Sequence, residues 1–342
     1  MVSKATATVA GAGALGLSCA LALADAGFQV TVCDPAQPFA NASGVAGGML
    51  APVFEAVLDP QAAAHFDLLL AARDLWPALE SRSGVRLDRT GALAVGRADW
   101  LQGVAAGVAR LGTHASDVPH RAAEALAPGL TSDFGAVLLN REDWRLDARP
   151  ALSALRAAAA GAGVAFRAEA VTGRGEADLL VVATGAAGGL APEAAWLSPI
   201  KGHILKTEPT SIGGVTVRGE GIYVTPADGG LAVGATMEPG LADAEPDPAK
   251  AAPLLALGAT LFPSLARAEY ELQAGVRAAT PDGLPLVGFS EAPGVLLATG
   301  ARRNGWLLAP LVGQVIAALA TGQEPGRHAA RLDPRRFGQP AS

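Results

Sequence analysis

Three glycines and one acid near the start of the chain have the types and spacing of a dinucleotide site. Gly11, Gly13 and Gly16 stand at G-x-G-x-x-G spacing in VAGAGALG, and Asp34 closes the segment that follows. Gly11 permits the tight turn out of a strand. Gly13 leaves room for a pyrophosphate to reach backbone amides at a helix N-terminus, and Gly16 lets helix and strand pack closely. Asp34 is placed to accept hydrogen bonds from an adenosine ribose hydroxyl. Two further stretches allow a ligand close to the backbone. The run SGVAGGMLAP, residues 43–52, has few large side chains, so its backbone can lie against a flat ligand. Thr184-Gly185 is a second glycine turn at the end of an apolar strand, where open α/β sheets bind ligands.

Those residues need strands and helices to hold them. Thr6 to Ala10 reads as a buried parallel strand, the next helix runs to about Asp25 with Gly27 as its stop, and 28–33 is the second strand. A secretory signal or lipoprotein cleavage site at this end would remove the first strand of a complete βαβ start. Residues 61–80 read as one helix by period. From Gly84 to about Asn140 the rhythm breaks into a strand at 91–96, a helix at 100–111 and a strand at 135–139. Asp147 reads as the N-cap of a helix through Ala160, followed by a strand at 163–171 and the apolar strand DLLVVAT at 178–184. After Pro199 the pattern becomes antiparallel. Residues 202–208 alternate, GIYVTP and LAVGATM form a hairpin joined by ADGG, a helix spans 248–261 and a strand spans 271–278. A last buried strand at 294–299 leads through GARRNG into an apolar helix at 306–320, and from His328 the chain reads as a surface tail.

Composition narrows the class. A chain of 342 residues exceeds one small core, so two domains or one elaborated α/β unit are expected. The net charge of −6 argues against a nucleic-acid partner. The apolar stretch 306–320 is too short to span a bilayer, and a cytoplasmic protein is expected. Cys19 and Cys33 fall inside the first helix and second strand, with no spacing for a disulfide framework or a metal site.

GAGALG with Asp34, SGVAGGMLAP, EADLLVVATG, SPIKGHILKTE, GIYVTPADGGLAVGATME, AGVRAATPDGLPLVG and ATGARRNGWLLAP resemble, in type and order, the FAD-dependent D-amino-acid oxidase superfamily. Within it the chain is most similar to the glycine oxidases of bacterial thiamine biosynthesis, from Val9 to about Gly322. The resemblance implies an α/β fold in which a Rossmann-like FAD domain (1–83, 141–198 and 279–327) is interrupted by a substrate domain of mixed or antiparallel sheet and helices (84–140 and 199–278). Residues 328–342 form the tail. It implies non-covalent FAD, held in part at Gly11, Gly13, Ala14, Leu15 and Gly16 on the phosphate turn. Asp34 and Pro35 lie at the ribose, with Ala42 and Ser43 just after. Gly47, Gly48 and Met49 match the stretch beside the flavin, Val171 a backbone contact, and Thr184 and Gly185 the second turn. Gly300, Ala301, Arg302, Arg303, Asn304, Gly305, Trp306 and Leu307 match the loop over the ring.

By the same resemblance Arg277 holds the substrate carboxylate, Tyr223 adds a hydrogen bond to it, Arg303 lies near flavin and substrate, and Met237 lines the pocket. Lys201-Gly202-His203 matches a recurrent family turn. The sequence departs from glycine oxidase where a histidine and an aromatic are replaced by Ala301 and Arg302, and where an arginine is replaced by Ala227. Arg302 fits either solvent or the pocket. The chemistry implied is hydride transfer from the α-carbon, giving an imine and then glyoxylate or a keto acid, with no acid/base pair required. Glycine, sarcosine and small D-amino acids stay open as substrates, dioxygen or a quinone as acceptor, and homo-oligomerisation is also open. An NAD-linked dehydrogenase shares the glycine-rich start but accounts for neither SGVAGGMLAP nor Thr184-Gly185.

Overall fold

Strand Thr6–Ala10 lies inside a six-stranded sheet, so the glycine turn that follows it opens at the sheet's centre. The sheet runs in the order Leu286–Phe289, Val295–Thr299, Leu179–Val182, Thr6–Ala10, Gln29–Cys33, Ala165–Arg167. Every pairing in it is parallel except that of Leu286–Phe289 with Val295–Thr299. The turns at Gly11, at Thr184-Gly185 and at Gly300 therefore leave the sheet at the same edge, the carboxyl ends of the three neighbouring parallel strands. This computed structural model describes residues 4–338.

Helix Ala14–Asp25 covers one face and packs against helix Gly305–Ala320. Their crossing is close because Gly313 stands where a Cβ would lie 2.9 Å from the Ser18 carbonyl oxygen. Leu17, Leu23, Leu307, Val312 and Ile316 fill the core between them and the sheet. A second sheet of nine strands carries the other half of the site. Its strands Ser198–Thr207, Gly230–Gly234, Ile222–Ala227 and Thr216–Gly219 are antiparallel neighbours, and Tyr270–Ala279 pairs along the whole length of Ser198–Thr207. The hairpin turn is Asp228-Gly229, both at positive φ, as a two-residue turn requires. A third sheet, Met49–Leu50 with Trp144–Leu146 and Leu87–Asp88, supports the SGVAGGMLAP stretch. The fold is thus α/β with mixed and antiparallel sheets.

Four local expectations change. Residues 61–80 form three helices, Pro60–Ala63, Phe66–Asp74 and Trp76–Ser83; the second break falls where Pro77 has no N–H to continue the preceding turn and instead starts a new one. The strand expected at 163–171 pairs only over Ala165–Arg167, at the sheet edge. Lys201-Gly202-His203 is not a turn but the middle of strand Ser198–Thr207. Residues 329–337, expected in a surface tail, form helix Ala329–Leu332 and 3-10 turn Pro334–Phe337. Leu332 is fully buried there and Arg336 pairs with Asp282 at 2.8 Å. Residues 339–342 of that expected tail, like 1–3, lie outside the described residues.

Candidate active site and cofactor cleft

The three strand-end turns border one cleft of about 1160 Å³. Of the residues named from the sequence, Gly11, Gly13, Ala14, Leu15, Asp34, Pro35, Ala42, Ser43, Val171, Thr184, Gly185, Gly300, Ala301, Arg302 and Gly305 line it. Its volume exceeds that of an ordinary small-molecule pocket, as an extended dinucleotide needs. Gly11 turns at φ +109°, where its amide donates to the Cys33 carbonyl at 2.8 Å. A Cβ at Gly16 would lie 2.0 Å from the Gly11 carbonyl oxygen, so Gly16 packs helix on strand and does not line this cleft. Asp34 accepts from the Ala12 amide at 2.7 Å and the Ala36 amide at 2.9 Å, which fixes its carboxylate at the cleft. Helix Ala14–Asp25 presents its positive end to the cleft with no acid in its first turn. The donors, the acid and the volume of the cleft fit FAD.

A smaller cavity of about 350 Å³ continues from the cleft, sharing Ala42, Val45, Gly275 and Arg277 with it. Gly47, Gly48, Met49, Tyr223, Met237, Arg277, Arg303, Asn304 and Trp306 line this inner space. Met237 remains exposed, whereas Leu307 is fully buried and lines neither cavity. Tyr223 packs between two glycines. A Cβ at Gly234 would lie 2.9 Å from its Oη, and one at Gly47 would lie 3.1 Å from its ring. Among the described residues its hydroxyl has no hydrogen-bond partner, and burial raises its pKa, so it stays a neutral donor.

Arg277 reaches the cavity across Gly202. Its Nη1 donates weakly to the Thr236 carbonyl at 3.4 Å and approaches Met237 Sδ at 3.6 Å, and no carboxylate of the described residues pairs with it. Burial, with Arg303 and Arg302 nearby, lowers its pKa, the signature of a cation lacking a counter-ion. Gly202 has a physical reason here. A Cβ on it would lie 2.1 Å from Arg277 Nη1, so only glycine leaves room for the guanidinium.

The opposite wall carries charges that sequence reasoning missed. Glu55, on helix Pro52–Leu58, pairs with Arg218 and, at 3.1 Å, with Arg303. Burial alone would raise its pKa, but Arg303 and Arg218 overcome this and keep it ionised. Arg302 pairs with Asp59, which places it at the cofactor cleft and not in open solvent. Behind Glu55, Asp143 accepts from the Val53 and Phe54 amides at 2.8 and 2.9 Å, and burial pushes it up to about 7. Lone charges inside apolar runs, PVFEAVL and VTVRG, are the only sequence signal for Glu55 and Arg218.

The model of the DAO family of FAD dependent oxidoreductases matches residues 6–319. A glycine oxidase of Pseudomonas aeruginosa is 31% identical over 93% of this chain and 95% of its own. The bifunctional protein ThiO/ThiG of Trichormus variabilis is 30% identical over 98% of this chain and 55% of that protein. The chain therefore spans about half the length of the ThiO/ThiG relatives. The crystal structure of glycine oxidase from Geobacillus kaustophilus shares the fold at a TM-score of 0.81 and 27% identity, covering 96% of this chain and 98% of that one. No helix of the described residues is long and apolar enough to cross a membrane.

Proposed function

This chain belongs to the DAO family of FAD dependent oxidoreductases, and on that premise we propose that it oxidises a small α-amino acid, glycine, sarcosine or a small D-amino acid, to the imine. The observation that carries the reading is Arg277, a guanidinium that no carboxylate of the described residues pairs with, beside the Tyr223 hydroxyl, which has no partner among them, in a small cavity that opens into the dinucleotide cleft. A guanidinium fork makes two parallel charge-assisted bonds to a carboxylate, and Tyr223 adds a third donor. FAD, when bound, supplies the acceptor for the α-hydrogen and its electron pair. The protein's part is position: the carboxylate held at Arg277 and the α-carbon kept on the Gly47–Met49 side of the cavity, with the amine reacting from its neutral form. Water then hydrolyses the released imine to glyoxylate or a keto acid, with ammonia as the second product of a primary amine and methylamine that of sarcosine. The division of the chain into a discontinuous FAD domain and a substrate domain, at the boundaries given above, belongs to the same reading.

A relative from Rhizobium etli, 34% identical over 94% of this chain, carries the name of a thiamine biosynthesis oxidoreductase, ThiO, which supports a place for this reaction in thiamine biosynthesis. The test is hydrogen peroxide release by the holoenzyme against a panel of small amino acids and amines. Arg277→Ala is expected to raise KM by about 10- to 100-fold, the equivalent of 1.5–3 kcal/mol for hydrogen bonds to a charged group, while FAD stays bound. Unchanged kinetics would remove the clamp. Flavin reduction without peroxide would instead assign another acceptor, such as a quinone.

A further inference from the structure

We propose that Glu55 is the residue that receives the substrate's amino group. The proposal rests on the amino-acid reading above and supplies the half of recognition that Arg277 leaves open. Glu55 is 4% exposed and lines the inner cavity together with Arg277. Its Oε1 accepts from Arg218 Nη2 and Arg303 Nη2, whereas its Oε2 is buried with no hydrogen-bond partner among the described residues. A buried ionised oxygen without a donor is costly, and a ligand N–H relieves that cost. The terminal torsion of a glutamate is soft, so either oxygen can turn toward the cavity.

The two charged walls have opposite deficits. Among the described residues no carboxylate meets the donors of Arg277 and no donor meets Glu55 Oε2. An α-amino acid carries one group of each kind and satisfies both. A carboxylic acid without an amine satisfies Arg277 alone.

Glu55 acts here as an acceptor and not as a base. The groups that face it are Arg218 from strand Thr216–Gly219, Arg303 and Arg302 from the turn before helix Gly305–Ala320, and Arg277 and Tyr223 from their strands. Asp143 comes from the loop after Val137–Asn140, and Asp59 from the end of its own helix. The arginines keep Glu55 ionised, and the negative charge favours the ammonium form of a bound amine. Turnover needs the neutral amine, so kcat rises with pH through the pKa of the bound ammonium.

Glu55→Gln removes the charge and is expected to move that rising limb to lower pH by about 1 unit or more. Asp59→Asn removes a charge of the same sign from the same arginine network, but Asp59 does not line the inner cavity, so the limb is expected to move much less. Binding supplies a second readout. In Glu55→Gln the KM for glycine is expected to rise at least about tenfold, while acetate binding, followed by the change in flavin absorbance, is retained. Equal displacement of the limb by both variants, or parallel loss of glycine and acetate binding, overturns the assignment. Should Glu55→Gln fail to hold flavin, Glu55→Asp keeps the charge and shortens the reach. It should leave the limb in place and still raise KM for glycine relative to the acetate constant, and an unchanged ratio overturns the proposal. A wild-type enzyme that oxidises no amino acid defeats the parent reading before any variant is made, whereas an active wild type with an unaltered Glu55→Gln profile defeats only this one.

Discussion

Replacing Gly202 by alanine should disable substrate binding while leaving the fold intact. The added Cβ would stand 2.1 Å from Arg277 Nη1, 2.5 Å from Nη2 and 2.6 Å from Cζ. These atoms are the free end of a flexible side chain, so the strand holds and the guanidinium retreats, by about 1 Å to reach ordinary contact distance. A hydrogen bond lengthened by that much is lost, and a misplacement of that size costs up to about 100-fold in rate. Loss of the charge-assisted pair is worth about 1.5–3 kcal/mol, so KM for the amino acid should rise about 10- to 100-fold. Gly202 does not occupy the left-handed region, so its backbone accepts alanine and the fold is retained. The assay is KM by peroxide release beside Tm and flavin content. A methyl group could also act by filling the cavity, and the background of Arg277→Ala separates the two effects. If Gly202→Ala works through Arg277, it adds little once the arginine is gone. An unchanged KM, or full additivity of the two substitutions, would refute the reasoning.

Two further outcomes follow from other parts of the structure. Gly16→Ala places a Cβ 2.0 Å from the backbone oxygen of Gly11, which cannot swing aside; flavin content should fall and Tm should drop, for an overpacking cost of about 1–3 kcal/mol. Burial alone would raise the Glu238 carboxyl, but hydrogen bonds from Thr236, Lys250 and His203 hold it down to about 2. Because its folded value lies below its unfolded value of 4.5, its contribution to stability is complete above that pH and lost as pH falls toward 2. Glu238→Gln should therefore lower Tm near pH 7 and converge on wild type across that acid range, as calorimetry at a series of pH values would show.

The cofactor end was legible because its chemistry demands particular residue types at fixed offsets. Gly11, Gly13, Asp34 and the turn at Thr184-Gly185 meet at one cleft because parallel strands end at one sheet edge. The hairpin around Asp228-Gly229 was legible for a similar reason, since a two-residue turn needs positive φ. Glu55 and Arg218 were not. Their pairing joins residues 163 positions apart, and no local pattern announces which charges a fold will bury together. Gly202 shows the same limit: its role depends on Arg277 two registers along the neighbouring strand. The helix expected at 61–80 broke before Trp76 because period alone does not weigh a proline.

The most direct test of the central claim is anaerobic reduction of the bound flavin, followed by loss of its visible absorbance. Glycine or another small amino acid should bleach it, and the corresponding amide, which lacks the carboxylate that Arg277 would hold, should bleach it far more weakly. Bleaching by no amino acid or amine of the panel, or equally by acid and amide, would contradict the account.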